Sequence, residues 1–259
     1  MSATSDLLAQ IADPDRGPIA AAHVAIVTAH PDDETLAFGT VMARLEGVKI
    51  IVATDGAPRD LNTAKRLGFA TAADYAAARR AELARGLALA GKGPDDILHL
   101  DFPDQEAAAN LGPMADALSA VFDKHGVRVV LTHAYEGGHP DHDAVAAAVA
   151  LATRGGPVEV IESPFYREAD GNFAVQTFVP LEEIDEVITT LLTPEEAALK
   201  LEMLARHETQ AGVFVGFTPR HEQFRPAPAY DFGQPPNGGA ILYLWADWAA
   251  KVGAAFARG

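Results

Sequence analysis

The sequence predicts an α/β fold of three layers, in which helices cover both faces of a mostly parallel central sheet and the C-terminal part is rich in loops. Three observations predict it. Five short runs are apolar at consecutive rather than alternate positions, as strands buried on both faces require. Each of the first four is followed by a helical stretch of ten or more residues, long enough to return across a sheet. The alternation stops near Ser163, and regular signals thin out beyond it.

The first run, His23 to Ala29, leads into a helical pattern from about Asp32 to Glu46 that stops at Gly47. The second, Val48 to Thr54, ends in Asp55-Gly56, and a loop joins it to a long alanine-rich helix, about Ala72 to Ala90, closed by Gly91. The third, Ile97 to Leu100, precedes a helix from about Pro113 to His125 with Gly126 behind it. The fourth, Val127 to Thr132, precedes a helix from Pro140 to Thr153, and the fifth is Val158 to Ile161. Further on, Thr193 can cap a helix running from Pro194 to about His207, and Pro194 suits its first position because that N–H has no helical partner. Gly212 to Gly239 gathers prolines, glycines and aromatics, the composition of a lid, a pocket wall, an oligomer contact or a packed surface loop. About Tyr243 to Arg258 reads as a final helix. No linker, repeat or low-complexity tract appears, so a single domain over 1–259 is expected.

Composition removes several function classes. Lys+Arg total 20 against Asp+Glu 36, a net charge of −16 over 259 residues. Such a surface repels phosphate backbones and anionic lipid, so neither nucleic acid nor membrane is an expected partner. No apolar run reaches bilayer length, and Met1 to Gly17 lacks the basic start and apolar core of a signal peptide; the expected location is the cytoplasm. The absence of cysteine excludes disulfides, thiolate metal sites and cysteine nucleophiles. Ser2, Ser5, Ser119 and Ser163 are the only serines, and none sits in a Gly-x-Ser-x-Gly elbow. A dinucleotide site would need glycines after the first strand, where this chain carries acids that repel phosphate.

Two segments carry chemistry. His30-Pro31-Asp32-Asp33-Glu34 follows the first strand, and His133 to Asp143, containing His139-Pro140-Asp141-His142, follows the fourth. Both fall at the carboxyl edge of the sheet, where open parallel sheets bind ligands. In each, a proline opens a helix and metal-competent side chains stand three residues apart, a spacing that brings them to one face. Catalytic zinc takes three protein ligands and leaves one position to water. His30, Asp33 and His142 supply two imidazoles and a carboxylate. Asp32 is then the general base beside the activated water, His139 the oxyanion stabiliser, and Asp141 the group that holds the His139 tautomer. Against this stands the plain alternative that first-turn acids merely complement a helix dipole.

These two segments resemble the signature motifs of the PIG-L/LmbE-type N-acetylglucosaminyl deacetylases. The likeness covers about His23 to Ser163, including Thr54-Asp55-Gly56 and Arg79-Arg80-Ala81-Glu82, with a weak match at His207-Glu208-Thr209-Gln210. It implies a Rossmann-like three-layer sandwich and one Zn2+ per chain on His30, Asp33 and His142, with Fe2+ the alternative ion. It also implies Asp32 as base, His139 stabilising the intermediate, and an N-acetylated sugar conjugate as the small-molecule substrate. One departure is Gly137, where some members have a tyrosine; Tyr135 is displaced from that position and receives no catalytic role. Arg79 and Glu82 read by default as a surface ion pair on one helix, while the resemblance makes Arg79 a candidate for holding substrate hydroxyls or a phosphate. Asp104 lies at the right sheet edge for a substrate contact, and a turn-forming role accounts for it equally well. Asp55 orients the second-strand loop or caps a turn; His133 supports the site or packs in the core; His99, His125, His207 and His221 read as structural or exposed.

The motifs leave the scissile bond open. A metal hydrolase acting on a non-sugar amide or an ester remains an alternative, as does a metal- or ligand-binding protein without catalysis, which would need neither Asp32 nor His139. Self-association into a homo-oligomer is compatible with everything above.

Overall fold

The computed structural model describes residues 2–181, 187–214 and 217–257. The five apolar runs form β1 (Val24–Thr28), β2 (Lys49–Thr54), β3 (Ile97–Phe102), β4 (Val129–His133) and β5 (Glu159–Ser163), all in parallel and in the order β5-β4-β1-β2-β3. Ile26 at the centre of β1 pairs with Ile50 of β2 on one side and Leu131 of β4 on the other. Every residue of β1 and β4 is buried, the result expected for strands without alternation. Two strands that the sequence did not announce extend the sheet beyond β5. These are β6 (Ile188–Leu191) and β7 (His221–Pro226), with β7 antiparallel to β5 and β6 antiparallel to β7.

Successive strand residues point to opposite faces, which divides the core in two. On one face Val24, Ile26, Ile50, Val52, Val129 and Leu131 pack with α1 (Ala3–Ala12), α2 (Asp33–Arg44), α3 (Ala72–Leu89) and α6 (Pro194–Leu204). On the other, Ala25, Val27, Ile51, Ala53 and Val130 pack with α4 (Leu111–His125), α5 (Pro140–Thr153) and α7 (Trp245–Phe256). The three-layer sandwich follows directly.

Helix boundaries shift by a few residues for local reasons. α4 begins at Leu111, so Pro113 sits in the first turn, where a missing N–H leaves no gap. It ends on Gly126 at φ +63°, a left-handed closure that a Cβ would disfavour. On α6, Thr193 and Glu196 exchange side chain-to-backbone bonds in a capping box. That helix stops at Leu204, three residues short of the expected end. α7 runs from Trp245 to Phe256; Arg258, expected within it, lies outside the described residues. α1 was not foreseen. It buries Leu7, Leu8 and Ile11, and its N-terminal Thr4 N–H donates to Glu159 at 2.8 Å, a carboxylate placed at the positive end of a helix.

α6 is tied to the sheet by a fully buried ion pair, Lys200 Nζ to Glu222 Oε1 at 2.8 Å. Glu222 also accepts from the N–H groups of Thr40 and Val41 and from the Thr40 hydroxyl, which locks α2 onto β7. Among the described residues no helix is long and apolar enough to cross a membrane.

The chain leaves β1 towards β2 and β3, then crosses back to β4 and β5 on the opposite side of β1. Connections therefore diverge between β1 and β4, which opens a crevice at their carboxyl ends. Both histidine-bearing corners enter that crevice.

Candidate metal centre

Asp32 occupies the strained point of the first corner, with φ +143° and ψ −26°. An L residue adopts such a backbone at a cost of roughly 1–3 kcal/mol, and only where its surroundings enforce it. Its side chain caps nothing. Instead Asp32 Oδ2 accepts from Arg79 Nη2 at 3.0 Å, while its N–H donates to Glu34 Oε2, also at 3.0 Å. The capping account fails for this residue. Asp33 turns back on the corner: Oδ2 accepts the His30 N–H at 2.8 Å and lies 3.2 Å from His30 Nδ1. Its other oxygen, Oδ1, lies 3.3 Å from His142 Nε2.

The second corner delivers two imidazoles. His139 caps α5, its Nδ1 accepting the Asp141 N–H at 3.1 Å. A neutral His139 therefore carries its proton on Nε2. His142, one turn into α5, stacks on His133 with ring centroids 4.2 Å apart. His133 Nε2 in turn accepts the Ala29 N–H at 2.8 Å, so this neutral ring braces both corners from beneath. The rings of His30 and His142 are 5.3 Å apart, and those of His30 and His139 4.7 Å. Among the described residues, three overlapping groups have ligand atoms close enough to share an ion: His30, His139 and His142; Asp33, His133 and His142; His30, Asp104 and Asp141. The expected set of His30, Asp33 and His142 is not itself one of these groups, although each of its members belongs to at least one of them.

The charges at the site are unbalanced. Asp32, Asp33, Asp104 and Asp141 are all buried, with Arg79 as the guanidinium among them. Burial lifts the Asp32 carboxyl to about 7, against the pull of Arg79. Burial would raise Asp33 too, yet His142 and His30 hold it well below the ordinary carboxylate value. Burial alone would depress His30, but Asp104 and Asp33 push it well above the usual imidazole value. His139 is held well below that value, by burial first and then by His30 and His142. Surplus buried carboxylate beside converging imidazole nitrogens fits a divalent cation, whose charge would offset what Arg79 leaves uncompensated. Nitrogen and oxygen donors without sulfur suit Zn2+ or Fe2+.

Three expectations change. Asp141 was expected to hold His139 through its carboxylate. That carboxylate instead accepts the N–H groups of Gln105 at 2.6 Å and Ala107 at 3.2 Å, and lies 3.3 Å from His30 Nε2. The first turn of α5 aims it at the loop after β3, and only the Asp141 backbone reaches His139. Arg79 is no surface residue: 5% exposed, it gives Nη1 to Gly56 O and Nη2 to Pro31 O besides Asp32. Glu82, its presumed partner, accepts from the backbone and hydroxyl of Thr209 instead. Asp104 turns inward, with Oδ1 3.2 Å from His30 Nε2 and Oδ2 3.9 Å from Arg79 Nη1. Asp55 orients the loops, accepting the N–H groups of Ala57 and Asp104.

Sequence reasoning missed the loop supports. Asp143 accepts the N–H groups of Glu136 and Gly137 and the Tyr243 hydroxyl, which fixes the approach to His139. Glu136 accepts the N–H groups of Phe165 and Tyr166. Tyr166, 5.6 Å from the His142 ring, belongs to a hairpin (Tyr166–Ala169 with Asn172–Val175) that no periodicity signalled. Tyr135 packs away from the site against Phe232 and Trp248.

Residues 25–153, from β1 to the end of α5 and so including both corners, match the family described as PIG-L: GlcNAc-PI de-N-acetylase. The chain belongs to the PIG-L family. No curated protein sequence matches it significantly. Solved structures similar to this PIG-L family member include a deacetylase–bog complex from the teicoplanin biosynthesis pathway, at 19% identity over 80% of this chain and 98% of that one, TM-score 0.64. The A40926 pseudoaglycone deacetylase Dbv21 shows 18% identity over 81% and 99%, TM-score 0.62. The N,N′-diacetylchitobiose deacetylase from Pyrococcus horikoshii shows 19% over 87% and 92%, TM-score 0.57. At these identities the likeness is one of fold.

Proposed function

We propose that this PIG-L family member is a metal-dependent amidase that removes an N-acyl group, in the first instance acetyl, from a small amino-sugar conjugate. The observation that carries it is the pairing, in one crevice, of a convergent His30–Asp33–His142 donor set with a strained carboxylate, Asp32, that takes no part in capping. A binding site alone would not need that carboxylate.

The ion, zinc in this reading with Fe2+ as the alternative, supplies Lewis-acid activation of water and of the substrate carbonyl. His30, Asp33 and His142 hold it, and the carboxylates of Asp104 and Asp141 orient His30 through Nε2. Asp32 accepts the proton of the attacking water, and Arg79 keeps its carboxylate aimed and ionised. His139 offers its Nε2–H to the oxygen on which charge develops, and its Nδ1 is already engaged by the Asp141 N–H. With His139 held neutral by burial, the proton that the departing amine needs returns from Asp32. This machinery serves one domain over 1–259, placed in the cytoplasm, on a small-molecule substrate.

The test is amine release from a panel of N-acetylated amino sugars and simple amides, with and without a chelator. Expected are about one zinc per chain, turnover abolished by the chelator, and Asp32→Ala slower by a factor on the order of 10²–10⁴ with its metal retained. Full turnover in the chelated enzyme, or in Asp32→Ala, would overturn the reading.

A further inference from the structure

Beside the metal centre lies a cavity of about 920 Å³ that the proposed chemistry does not use. Its walls are mostly apolar, with Leu36, Phe165, Tyr166, Phe173 and Val175 among them, and Arg220 and His221 as polar members. It is continuous with the site at three places. Leu36 is one helical turn beyond Asp33 on α2, the Phe165 ring is 5.0 Å from that of His142, and Gly138 immediately precedes His139. At Gly138 a Cβ would lie 1.8 Å from the Tyr166 carbonyl oxygen, so glycine there lets the hairpin close directly onto the second corner. Phe173 and Val213 are 68% and 71% exposed around this cavity, an apolar surface without a cover among the described residues. Cavities of such size hold ligands far larger than an acetyl group.

The opposite flank differs in character. Asp55, whose carboxylate accepts the Asp104 N–H, also pairs with Arg59 at 2.6 Å, and Arg80 pairs with Asp101 at the end of β3. An amide at the metal has two arms, and these two flanks sort them. The amine arm, with its hydroxyls, suits the charged loops after β2 and β3. The acyl arm meets the apolar cavity. We propose that the cavity is an acyl-chain pocket, and that amides of medium-chain or aryl carboxylic acids on a polar amine are better substrates of this site than the corresponding acetamide. The proposal rests on the amidase reading and narrows its substrate class.

The holoenzyme is assayed on glucosamine N-acylated with acetyl, butanoyl, hexanoyl and octanoyl groups. Burial of each added methylene should raise kcat/KM about three- to four-fold. Val175→Arg, which sets a charge in the wall of the cavity, should flatten the series, so that the octanoyl compound loses its advantage over the acetyl one. A flat series in an enzyme that cleaves the acetyl compound overturns the proposal. So does a rise confined to alkyl β-glycosides of N-acetylglucosamine, which assigns the cavity to the other arm. If no amide is cleaved, the amidase reading fails on its own account, and calorimetric titration with octanamide then decides the pocket. Binding that Val175→Arg abolishes supports it, and no binding overturns it.

Discussion

Arg79 Nη2 donates to Asp32 Oδ2 across 3.0 Å, and both side chains are buried. Because the same guanidinium also bonds the carbonyls of Pro31 and Gly56, it fixes the carboxylate and the two strand-end loops together. Removing its charge while keeping bulk, as in Arg79→Met, takes away the opposite charge that lowers the Asp32 carboxyl and leaves burial to raise it further above about 7. The base acts only when ionised, so activity is lost as pH falls through its pKa. The acid limb of the kcat/KM profile should therefore move to higher pH, by about one unit or more, with Arg79→Lys recovering part of the shift. An unmoved profile with a raised KM would place Arg79 on the substrate instead.

Asp104 faces His30 Nε2 at 3.2 Å, on the far side of the ring from Asp33. A carboxylate there fixes the ring and raises its basicity towards a metal held through the other nitrogen. Asp104→Ala should weaken metal binding by about 10- to 100-fold, read by competition with a chelating dye. Once metal is saturating, KM should stay close to that of the parent enzyme. A large KM increase with unaltered metal affinity would mark a substrate contact.

The His139 tautomer depends on a main-chain group, the Asp141 N–H on Nδ1 at 3.1 Å. Asp141→Asn keeps that N–H but alters the bonds to Gln105, Ala107 and His30. Nitrogen-15 NMR of the histidine rings should find His139 still protonated on Nε2 in the variant, with any loss of rate following the loss of metal. A switched tautomer would return the carboxylate to the role first expected of it.

The parts of this fold that were legible in the sequence are those whose signals are local. β1, β2 and β4 announce themselves because a strand buried on both faces has no polar positions to spare, and the two corners because each puts its metal-competent residues within one helical turn. Arg79 was illegible: on α3 alone it looks like half of an exposed pair, and its burial depends on the loops at Pro31 and Gly56. Asp141 misled for the same reason, since its partners lie in the loop after β3. β7, with the sequence His-Glu-Gln-Phe-Arg-Pro, reads as polar because its buried Glu222 and Arg225 are neutralised by Lys200 and Glu162, residues distant in the chain. The hairpin carrying Tyr166 is short, one strand half-buried and the other mostly exposed, too brief for a period to emerge.

Lys200 shows how far such a pairing carries the fold. Its ammonium is fully buried, and among the described residues the other partners of Glu222 are two N–H groups and one hydroxyl of α2. Lys200→Met fits the same space but leaves an uncompensated carboxylate in the core, and should lower stability by roughly 3–5 kcal/mol. Adding Glu222→Gln removes the orphaned charge and keeps an acceptor for Thr40 and Val41, so the double variant should recover most of that loss. Urea denaturation of the three proteins checks this through the midpoint at constant slope. If the double variant is no more stable than Lys200→Met, the lysine acts through the packing of its methylenes beside Gly39, and not through its charge.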